Sequence, residues 1–185
     1  MAQTRITGGE LRGRLLKTPP GHSIRPTTSL VRQALFNSIG ESIRAAQVLD
    51  LFAGAGTIGI EALSRGAQRA VFVEAEESCA TIVRENLAAM GLAERATVAW
   101  AEVIKWLEAH RAALSDFNLI TIDPPYRDQT VLNETLSALD SSRLRSQALV
   151  VIEHHRQQAI PSFDNMHLIK ARDYGMTRLS FLRTR

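Results

Sequence analysis

From residue 47 onward, short apolar segments of strand length alternate with longer segments that have helical periodicity. The predicted strands cover residues 48–52, 70–74, 97–100, 117–122 and 148–153. Alternation of this kind predicts an α/β fold, in which parallel strands are joined by helices on both faces of one sheet. Two further strands, 167–172 and 177–183, flank Asp173-Tyr174-Gly175 and predict a C-terminal hairpin.

Polar or glycine-rich residues follow four of the predicted strands. They are the segment 50–59 with its glycines, Glu74, Glu102 and Asp123. Ligands of open parallel sheets bind beyond the carboxyl ends of the strands. We therefore expect these four features to meet at one edge of the sheet and to form the functional site.

The segment after the first of these strands has the spacing of a nucleotide-binding loop. Gly54, Gly56 and Gly59 match the pattern GxGxxG, and Glu74 follows Gly54 by twenty residues. Glycines allow a tight turn and close approach of a ligand to the backbone, and Glu74 is placed to accept hydrogen bonds from ribose hydroxyls. The alternative is a glycine turn that only packs a helix on a strand.

Two cofactors fit this loop, NAD and S-adenosylmethionine. Asp50 favours the second, because an acid before the glycines would repel a pyrophosphate yet can hold the methionine ammonium group. The N-terminus of the following helix can bind the methionine carboxylate. Phe52, which leads into the loop, and Asp123 are assigned to the same cofactor site, and Glu102 is a candidate acceptor for the adenine amine. An ordinary acid at a helix start is an equal interpretation of Glu102.

The motif Asp123-Pro124-Pro125-Tyr126 follows the buried strand 117–122. Two prolines make a stiff loop, which leaves the Asp123 carboxylate and the Pro124 carbonyl free to accept hydrogen bonds. Tyr126 adds a flat aromatic face. The motif therefore predicts a pocket for a planar group that carries an NH2, although a turn begun by an aspartate is the simpler interpretation.

The N-terminal 46 residues differ in charge from the rest of the chain. They contain seven basic and two acidic residues, a net charge of +5, whereas the whole chain carries +3. We predict a division into a basic extension, 1–46, and a second domain, 47–185. Residues 4–17 predict a hairpin with Gly8-Gly9 as its two-residue turn. Arg12 and Arg14 are expected on one strand face, and Leu11 and Leu15 on the other.

A helix over 29–39 is predicted to complete the extension, with one apolar side formed by Leu30, Val31, Ala34, Leu35 and Ile39. The basic charge indicates a polyanion partner, and a solvated arm without a partner is the alternative.

Other classes of protein are disfavoured by composition. One cysteine, Cys79, predicts neither a disulfide framework nor a cysteine-rich zinc site. No apolar run reaches the length of a membrane span, and the first residues lack the apolar region of a signal peptide, so we expect a cytoplasmic protein. His154 and His155 are adjacent on a strand and should point to opposite faces, so no metal site is expected.

Taken together, these motifs resemble those of class I S-adenosylmethionine-dependent methyltransferases that act on amino groups. The resemblance is closer to the RsmD-type guanine-N2 methyltransferases of small-subunit (16S) ribosomal RNA. It rests on Arg5-Ile-Thr-Gly-Gly-Glu-Leu-Arg-Gly-Arg, on the segments 25–37 and 50–66, and on Asp123-Pro-Pro-Tyr. It implies a Rossmann-like, mostly parallel seven-stranded sheet with an antiparallel C-terminal hairpin, preceded by a small hairpin-and-helix extension.

The resemblance also implies roles for individual residues. Asp123 and the Pro124 carbonyl would accept hydrogen bonds from the guanine amine, and Tyr126 would stack on the base. The substrate would be small-subunit ribosomal RNA, within a ribosomal subunit or an assembly intermediate. The residues expected to hold its phosphates are Arg5, Arg12, Arg14 and Arg25.

Four other functions fit part of the sequence. An adenine-N6 DNA methyltransferase would use the same Asp-Pro-Pro-Tyr motif, but 185 residues leave little room for a domain that reads DNA sequence. A protein glutamine methyltransferase would give the basic extension no purpose. An NAD-binding reductase leaves Asp123 to Tyr126 unexplained, and a non-catalytic RNA-binding module leaves the acids at the sheet edge unexplained.

Overall fold

We describe the protein from a computed structural model, which covers residues 2–19, 29–125 and 128–185. Its α-helices are α1 (Ser29–Ile39), α2 (Thr57–Ser64), α3 (Glu77–Met90), α4 (Val103–Ala109) and α5 (Gln129–Asp140). Its strands are β1 (Ala2–Arg5), β2 (Leu15–Thr18), β3 (Gln47–Leu51), β4 (Arg69–Glu74), β5 (Ala96–Trp100), β6 (Leu119–Ile122), β7 (Leu149–His155), β8 (Met166–Tyr174) and β9 (Thr177–Thr184). The strands predicted after residue 47 are all present, with ends within two residues of those expected.

Seven strands form one sheet in the order β5-β4-β3-β6-β7-β9-β8. The first five are parallel, and β8 and β9 form an antiparallel hairpin at the other end. The prediction of a mostly parallel α/β sheet with a C-terminal hairpin is confirmed. We call the edge at which the parallel strands end the carboxyl edge, and the opposite one the amino edge.

Helices cover both faces of the sheet, which explains why the central strands are apolar along their whole length. Alternate residues of β3 enter two different cores. Val48 packs with residues of α1, α2 and α3, and Leu49 packs with residues of α4 and α5. We refer to the two sides as the α1–α3 face and the α4–α5 face.

The N-terminal extension packs on the α1–α3 face. Strands β1 and β2 pair as an antiparallel hairpin, which confirms that element. Ile6, Leu16 and Leu35 are buried in the same hydrophobic core as Val48 and Phe72 of the sheet. A two-stranded hairpin needs such support to be stable, so residues of the predicted extension and of the predicted second domain share one core.

The prediction of a two-residue turn at Gly8-Gly9 is wrong. The hairpin strands are joined by residues 6–14, and Arg12, Arg14 and Leu11 lie in this connection rather than on strand faces. The glycines instead allow close approach to the end of α2. A Cβ atom on Gly9 would lie 2.0 Å from the Ser64 carbonyl oxygen, and the φ of Gly9 is +81°.

Helix α1 begins and ends at the predicted residues, but its buried side is rotated from the predicted one. Leu30 is 65% exposed, whereas Arg32 is fully buried together with Phe36. The charge count took Arg32 only as one of the seven basic residues of the extension. It gave no sign of the acidic partner inside the protein that makes the burial of Arg32 possible.

In the described part of the chain, no helix combines the length and apolarity that crossing a membrane requires. The same ranges contain no group of three or more His, Cys, Asp or Glu side chains arranged to hold a metal ion. His154 and His155 are both buried, and His154 Nε2 lies 2.9 Å from Ser180 Oγ.

Candidate active site

The glycine loop begins with a strained residue. Phe52 follows β3 with a φ of +60°, a left-handed conformation that bulky residues rarely adopt. It turns the chain off the strand, and the next amide, Ala53 N, donates to Val73 O of β4 at 3.1 Å. Gly54 and Gly56, with φ of +55° and +75°, complete the turn into α2. The loop therefore sits at the carboxyl edge between β3 and β4.

Asp50 lies deeper than the sequence predicted. It is inside β3, only 2% exposed, rather than at the edge of the sheet. Its Oδ2 accepts a hydrogen bond from Gly59 N at 2.9 Å, and its Oδ1 accepts one from Thr121 Oγ1 at 2.7 Å. The carboxylate thus connects the first turn of α2 to strands β3 and β6, directly below the glycine loop.

Burial raises the pKa of Asp50 from 3.8 to about 7, with a smaller contribution from the nearby negative charge of Glu74. The hydrogen bonds from Thr121 and Gly59 act in the opposite direction. Burial makes the ionised carboxylate unfavourable, and a positive charge close to Asp50 would stabilise it. This fits the ammonium group that the sequence assigned to Asp50, held directly or through water.

Glu74 ends β4 at the carboxyl edge, as predicted. Its Oε2 accepts from Gly54 N at 2.7 Å, and its Oε1 accepts from Glu76 N at 2.8 Å. These bonds fix the carboxylate between the glycine loop and the start of α3. An acid in this position presents acceptors beside the loop, which is what recognition of a ribose requires.

Glu102 is the residue before α4 and lies at the same edge. The amide of the preceding residue, Ala101, donates to Glu74 O at 2.9 Å. The Glu102 side chain is exposed and forms an ion pair of 2.8 Å with Lys105. This ion pair supports the interpretation of Glu102 as an ordinary acid at the start of a helix. Contact with adenine stays a prediction.

Asp123 and Pro124 follow β6, the strand next to β3. Asp123 N donates to Leu51 O at 3.4 Å, so the motif begins beside the residue that precedes Phe52. Pro124 is buried and Asp123 is half-buried. Pro125 O accepts from Asp128 N at 3.0 Å, and the Asp128 side chain caps α5 through Val131 N. Tyr126 lies outside the described residues.

Glu61 is a functional candidate that the sequence analysis did not single out. It is fully buried in α2, two residues after Gly59, and forms ion pairs with Arg32 of α1 at 2.7 Å and with Arg65 at 2.7 Å. It also accepts hydrogen bonds from the backbone and hydroxyl of Thr7. The available signal was an acid within the apolar segment of α2, together with an arginine at an apolar position of α1.

Asn86 of α3 was also missed. Its Nδ2 donates to Lys17 O at 3.0 Å and to Ala55 O at 3.1 Å, and its Oδ1 accepts from Lys17 N at 2.9 Å. One buried amide therefore joins strand β2 of the hairpin to the middle of the glycine loop. A single asparagine in a helix gives no sequence signal for such a role.

The arginines assigned to RNA are exposed where they are described. Arg5 Nη1 donates to Gly13 O at 3.1 Å, and Arg14 Nη2 donates to Ala89 O at 3.1 Å. Within the described ranges, no hydrogen bond or ion pair engages the Arg12 guanidinium. Arg25 lies outside those ranges. Carbonyl partners leave the positive charge of Arg5 and Arg14 unneutralised.

The residues at this edge fit S-adenosylmethionine. The observations are the buried acid Asp50, the carboxylate of Glu74 beside the loop, and two glycines with positive φ. A Cβ on Gly59 would meet the Phe72 ring at 2.3 Å and Asp50 Oδ2 at 3.0 Å, so α2 approaches β3 and β4 as closely as the third glycine of the pattern allows.

Comparison with known proteins decides the family. A family model described as "Conserved hypothetical protein 95" matches residues 4–183. Ribosomal RNA small subunit methyltransferase D of Escherichia coli is 37% identical over 161 residues, which cover 86% of this chain and 79% of that protein. The chain belongs to the RsmD family of methyltransferases.

Solved structures agree with this membership of the RsmD family. The putative methyltransferase yhhF from Escherichia coli has a TM-score of 0.84 and 33% identity, with 100% of this chain and 99% of that chain covered. An RNA methyltransferase from Salinibacter ruber, solved with S-adenosyl-L-homocysteine, shares the fold, with a TM-score of 0.65 and 17% identity over 86% of this chain and 93% of that one.

Proposed function

We propose that this protein transfers a methyl group from S-adenosylmethionine to the exocyclic N2 amine of a guanine in small-subunit ribosomal RNA. The observation that carries the proposal is the position of Asp123-Pro124 directly after β6, the strand that pairs with β3, and beside the residue that precedes the glycine loop. An amine acceptor site and a donor site thus adjoin at one sheet edge. The relatives named ribosomal RNA small subunit methyltransferase D support the reaction and the substrate class.

The donor would be held by Asp50, Phe52, Gly54, Gly56 and Glu74. When bound, S-adenosylmethionine supplies a methyl group on a positively charged sulfur, which is already strongly electrophilic. Asp50 stabilises positive charge below the loop, and Glu74 accepts from hydroxyl groups beside it. The fold neighbour solved with S-adenosyl-L-homocysteine supports this cofactor class.

The amine would be activated by Asp123 and Pro124. The N2 lone pair of guanine is delocalised into the ring, so the nitrogen is a poor nucleophile. Hydrogen bonds from N2 to the Asp123 carboxylate and the Pro124 carbonyl favour a more pyramidal nitrogen, and Asp123 can take the proton as positive charge develops. Orientation of the amine toward the donor contributes further to the rate.

The target base has to leave its stack to reach this edge, since an enzyme cannot act on an atom inside a duplex. Tyr126 would stack on the extruded base, as aromatic residues do in RNA recognition. The natural substrate would be ribosomal RNA within a small subunit or an assembly intermediate.

Labelled S-adenosylmethionine, incubated with the protein and with undermethylated small subunits or unmethylated DNA, tests the proposal. Nucleoside analysis should find N2-methylguanosine in the small-subunit RNA. N6-methyladenine in the DNA would instead keep the fold and the cofactor and replace the substrate. Absence of transfer to either, with the cofactor bound, would contradict the proposed reaction.

A further inference from the structure

The loop of the N-terminal hairpin lies far from the site of methyl transfer. Glu10 N donates to Ser64 O at 2.8 Å, at the last residue of α2, and Arg14 reaches Ala89 O near the end of α3. Both helices start at the carboxyl edge and run toward the amino edge. Helix α3 has 14 residues, so it separates Arg14 from the carboxyl edge by about 20 Å.

Further arginines of the α1–α3 face lie at this amino edge. A cleft of about 450 Å³ beside the hairpin loop is lined by Gly9, Asn37, Arg44 and Arg65, among others. A second cavity, of about 150 Å³, is lined by Ile39, Ser42 and Arg183, among others. Arg95 approaches Glu10 of the loop at 3.5 Å. We define the amino-edge band as Arg12, Arg14, Arg44, Arg65, Arg95 and Arg183.

The band carries an excess of positive charge. Its acidic neighbours at the same end of the α1–α3 face are the exposed Glu10, Glu41 and Glu94 and the buried Glu61, four carboxylates beside six arginines. Glu41 forms an ion pair with Arg44, and Glu61 forms one with Arg65. On the α4–α5 face, the amino edge has no such excess in the described chain, since Arg69, Arg111, Arg143 and Arg145 are matched by Glu108, Asp116, Asp140 and Asp164.

The part of the carboxyl edge beside the glycine loop, at the ends of β4 and β5, is acidic. Glu74, Glu76 and Glu77 lie there within four residues of chain and Glu102 lies at the next strand end, and Lys105 forms an ion pair with Glu102. This part of the edge repels a phosphate backbone rather than holding it. Contacts that position a polyanion are therefore better placed at the amino-edge band.

We infer that the amino-edge band binds phosphates of an RNA helix that adjoins the target nucleotide. Arginine contacts to phosphates position RNA without reading its sequence. A helix that advances about 3 Å per base pair covers the roughly 20 Å between band and carboxyl edge in about seven base pairs. The inference rests on the proposed function and adds that the substrate is structured RNA, not an isolated loop.

The test uses two triple variants of the full chain. The band variant combines Arg12→Gln, Arg14→Gln and Arg44→Gln, and leaves Arg65 in place because it pairs with buried Glu61. The charge-matched control combines Arg69→Gln, Arg111→Gln and Arg143→Gln on the other face. Binding is measured over a range of salt concentrations, with small-subunit RNA fragments whose stem beside the methylated nucleotide has about three or about ten base pairs.

The inference expects the band variant to bind the long-stem RNA more weakly, with the slope of log affinity against log salt reduced by about two units. The control should keep the wild-type slope, and the short-stem RNA should not distinguish the band variant from wild type. Affinity for S-adenosylmethionine and the melting temperature should be unchanged in both variants.

An unchanged slope for the band variant on long-stem RNA would overturn the inference, as would an equal loss in the control. Failure of the proposed function is a separate result, since it would appear as absence of N2-methylguanosine with the wild-type protein. Weakened binding of the short-stem RNA by the band variant would also overturn the inference, because the contacts would then not depend on the helix.

Discussion

At the scale of single residues, Asp50 has the least ordinary environment of the candidate site. Its carboxylate is buried, accepts hydrogen bonds from Gly59 and Thr121, and has a pKa raised to about 7. The folded protein therefore keeps a proton on Asp50 up to about pH 7, whereas the unfolded chain releases it near pH 4. The stability that this proton contributes is complete below pH 4 and is lost as the pH rises through 7.

Asp50→Asn keeps the shape of the side chain and removes the titration. The difference in free energy of unfolding, variant minus wild type, should therefore rise between pH 4 and pH 7, by on the order of 4 kcal/mol for a shift of three units. Denaturant titrations of both proteins across this range measure it. A difference that is independent of pH would show that Asp50 is not the titrating group.

The sequence predicted the location of the site in the fold better than the depth of its residues. Glu74 and Asp123 lie at the carboxyl edge, as expected. Their positions were predictable because apolar segments, and the turn residues that follow them, indicate where strands end. The depth of Asp50 depends on the register of β3 against β6, which pairs Asp50 with Thr121 and which no local pattern encodes. Asn86 was missed for a similar reason, since its partners Lys17 and Ala55 are distant in sequence.

Asn86 offers a test of how the glycine loop is held. In Asn86→Asp the side chain can no longer donate to the carbonyl oxygens of Lys17 and Ala55, which leaves two acceptors unpaired near a buried charge. Affinity for S-adenosylmethionine should fall about tenfold or more, as measured by calorimetry. The matched control is Asn133→Asp on the exposed side of α5, where the side chain accepts a hydrogen bond from Gln129 Nε2 and keeps an acceptor oxygen after the substitution. Equal affinities in all three proteins would contradict this role of Asn86.

At the scale of elements, the ion pairs of Glu61 connect α1, α2 and the N-terminal hairpin. Glu61 and Arg32 have side chains that are 0% and 1% exposed, so each charge depends on the other for its burial. Arg32 also donates to the carbonyl of Arg5 in β1. The sequence predicted α1 and the hairpin as elements, but it treated their basic residues as a surface for a partner rather than as part of the interior.

Glu61→Gln leaves the Arg32 guanidinium buried without a negative partner. Loss of one member of a buried pair costs about 3–5 kcal/mol, so the melting temperature of a chain this size should fall by about 6–20 °C. Glu85→Gln is the control, since Glu85 pairs with Lys17 on the surface and should contribute about 1 kcal/mol at most. Similar melting temperatures for both variants, in scanning calorimetry, would contradict the structural role of Glu61.

At the scale of the whole molecule, the two edges of the sheet carry different sets of side chains. The carboxyl edge brings the glycine loop, Glu74 and Asp123 together, and the amino edge collects arginines of the α1–α3 face. The alternation of strands and helices was sufficient to predict the first arrangement. The second was not predictable, because it depends on the N-terminal hairpin running along α2 and α3 toward the amino edge.

The central claim is that Asp123 activates the amine beside a separately bound methyl donor. Single-turnover methyl transfer to small-subunit RNA, measured for wild type and Asp123→Asn together with the affinity for S-adenosylmethionine, tests it most directly. We predict that the rate falls by about 10²–10⁴-fold while the cofactor affinity stays within a few-fold of wild type. A variant that binds the cofactor normally and transfers methyl groups at close to the wild-type rate would contradict the account.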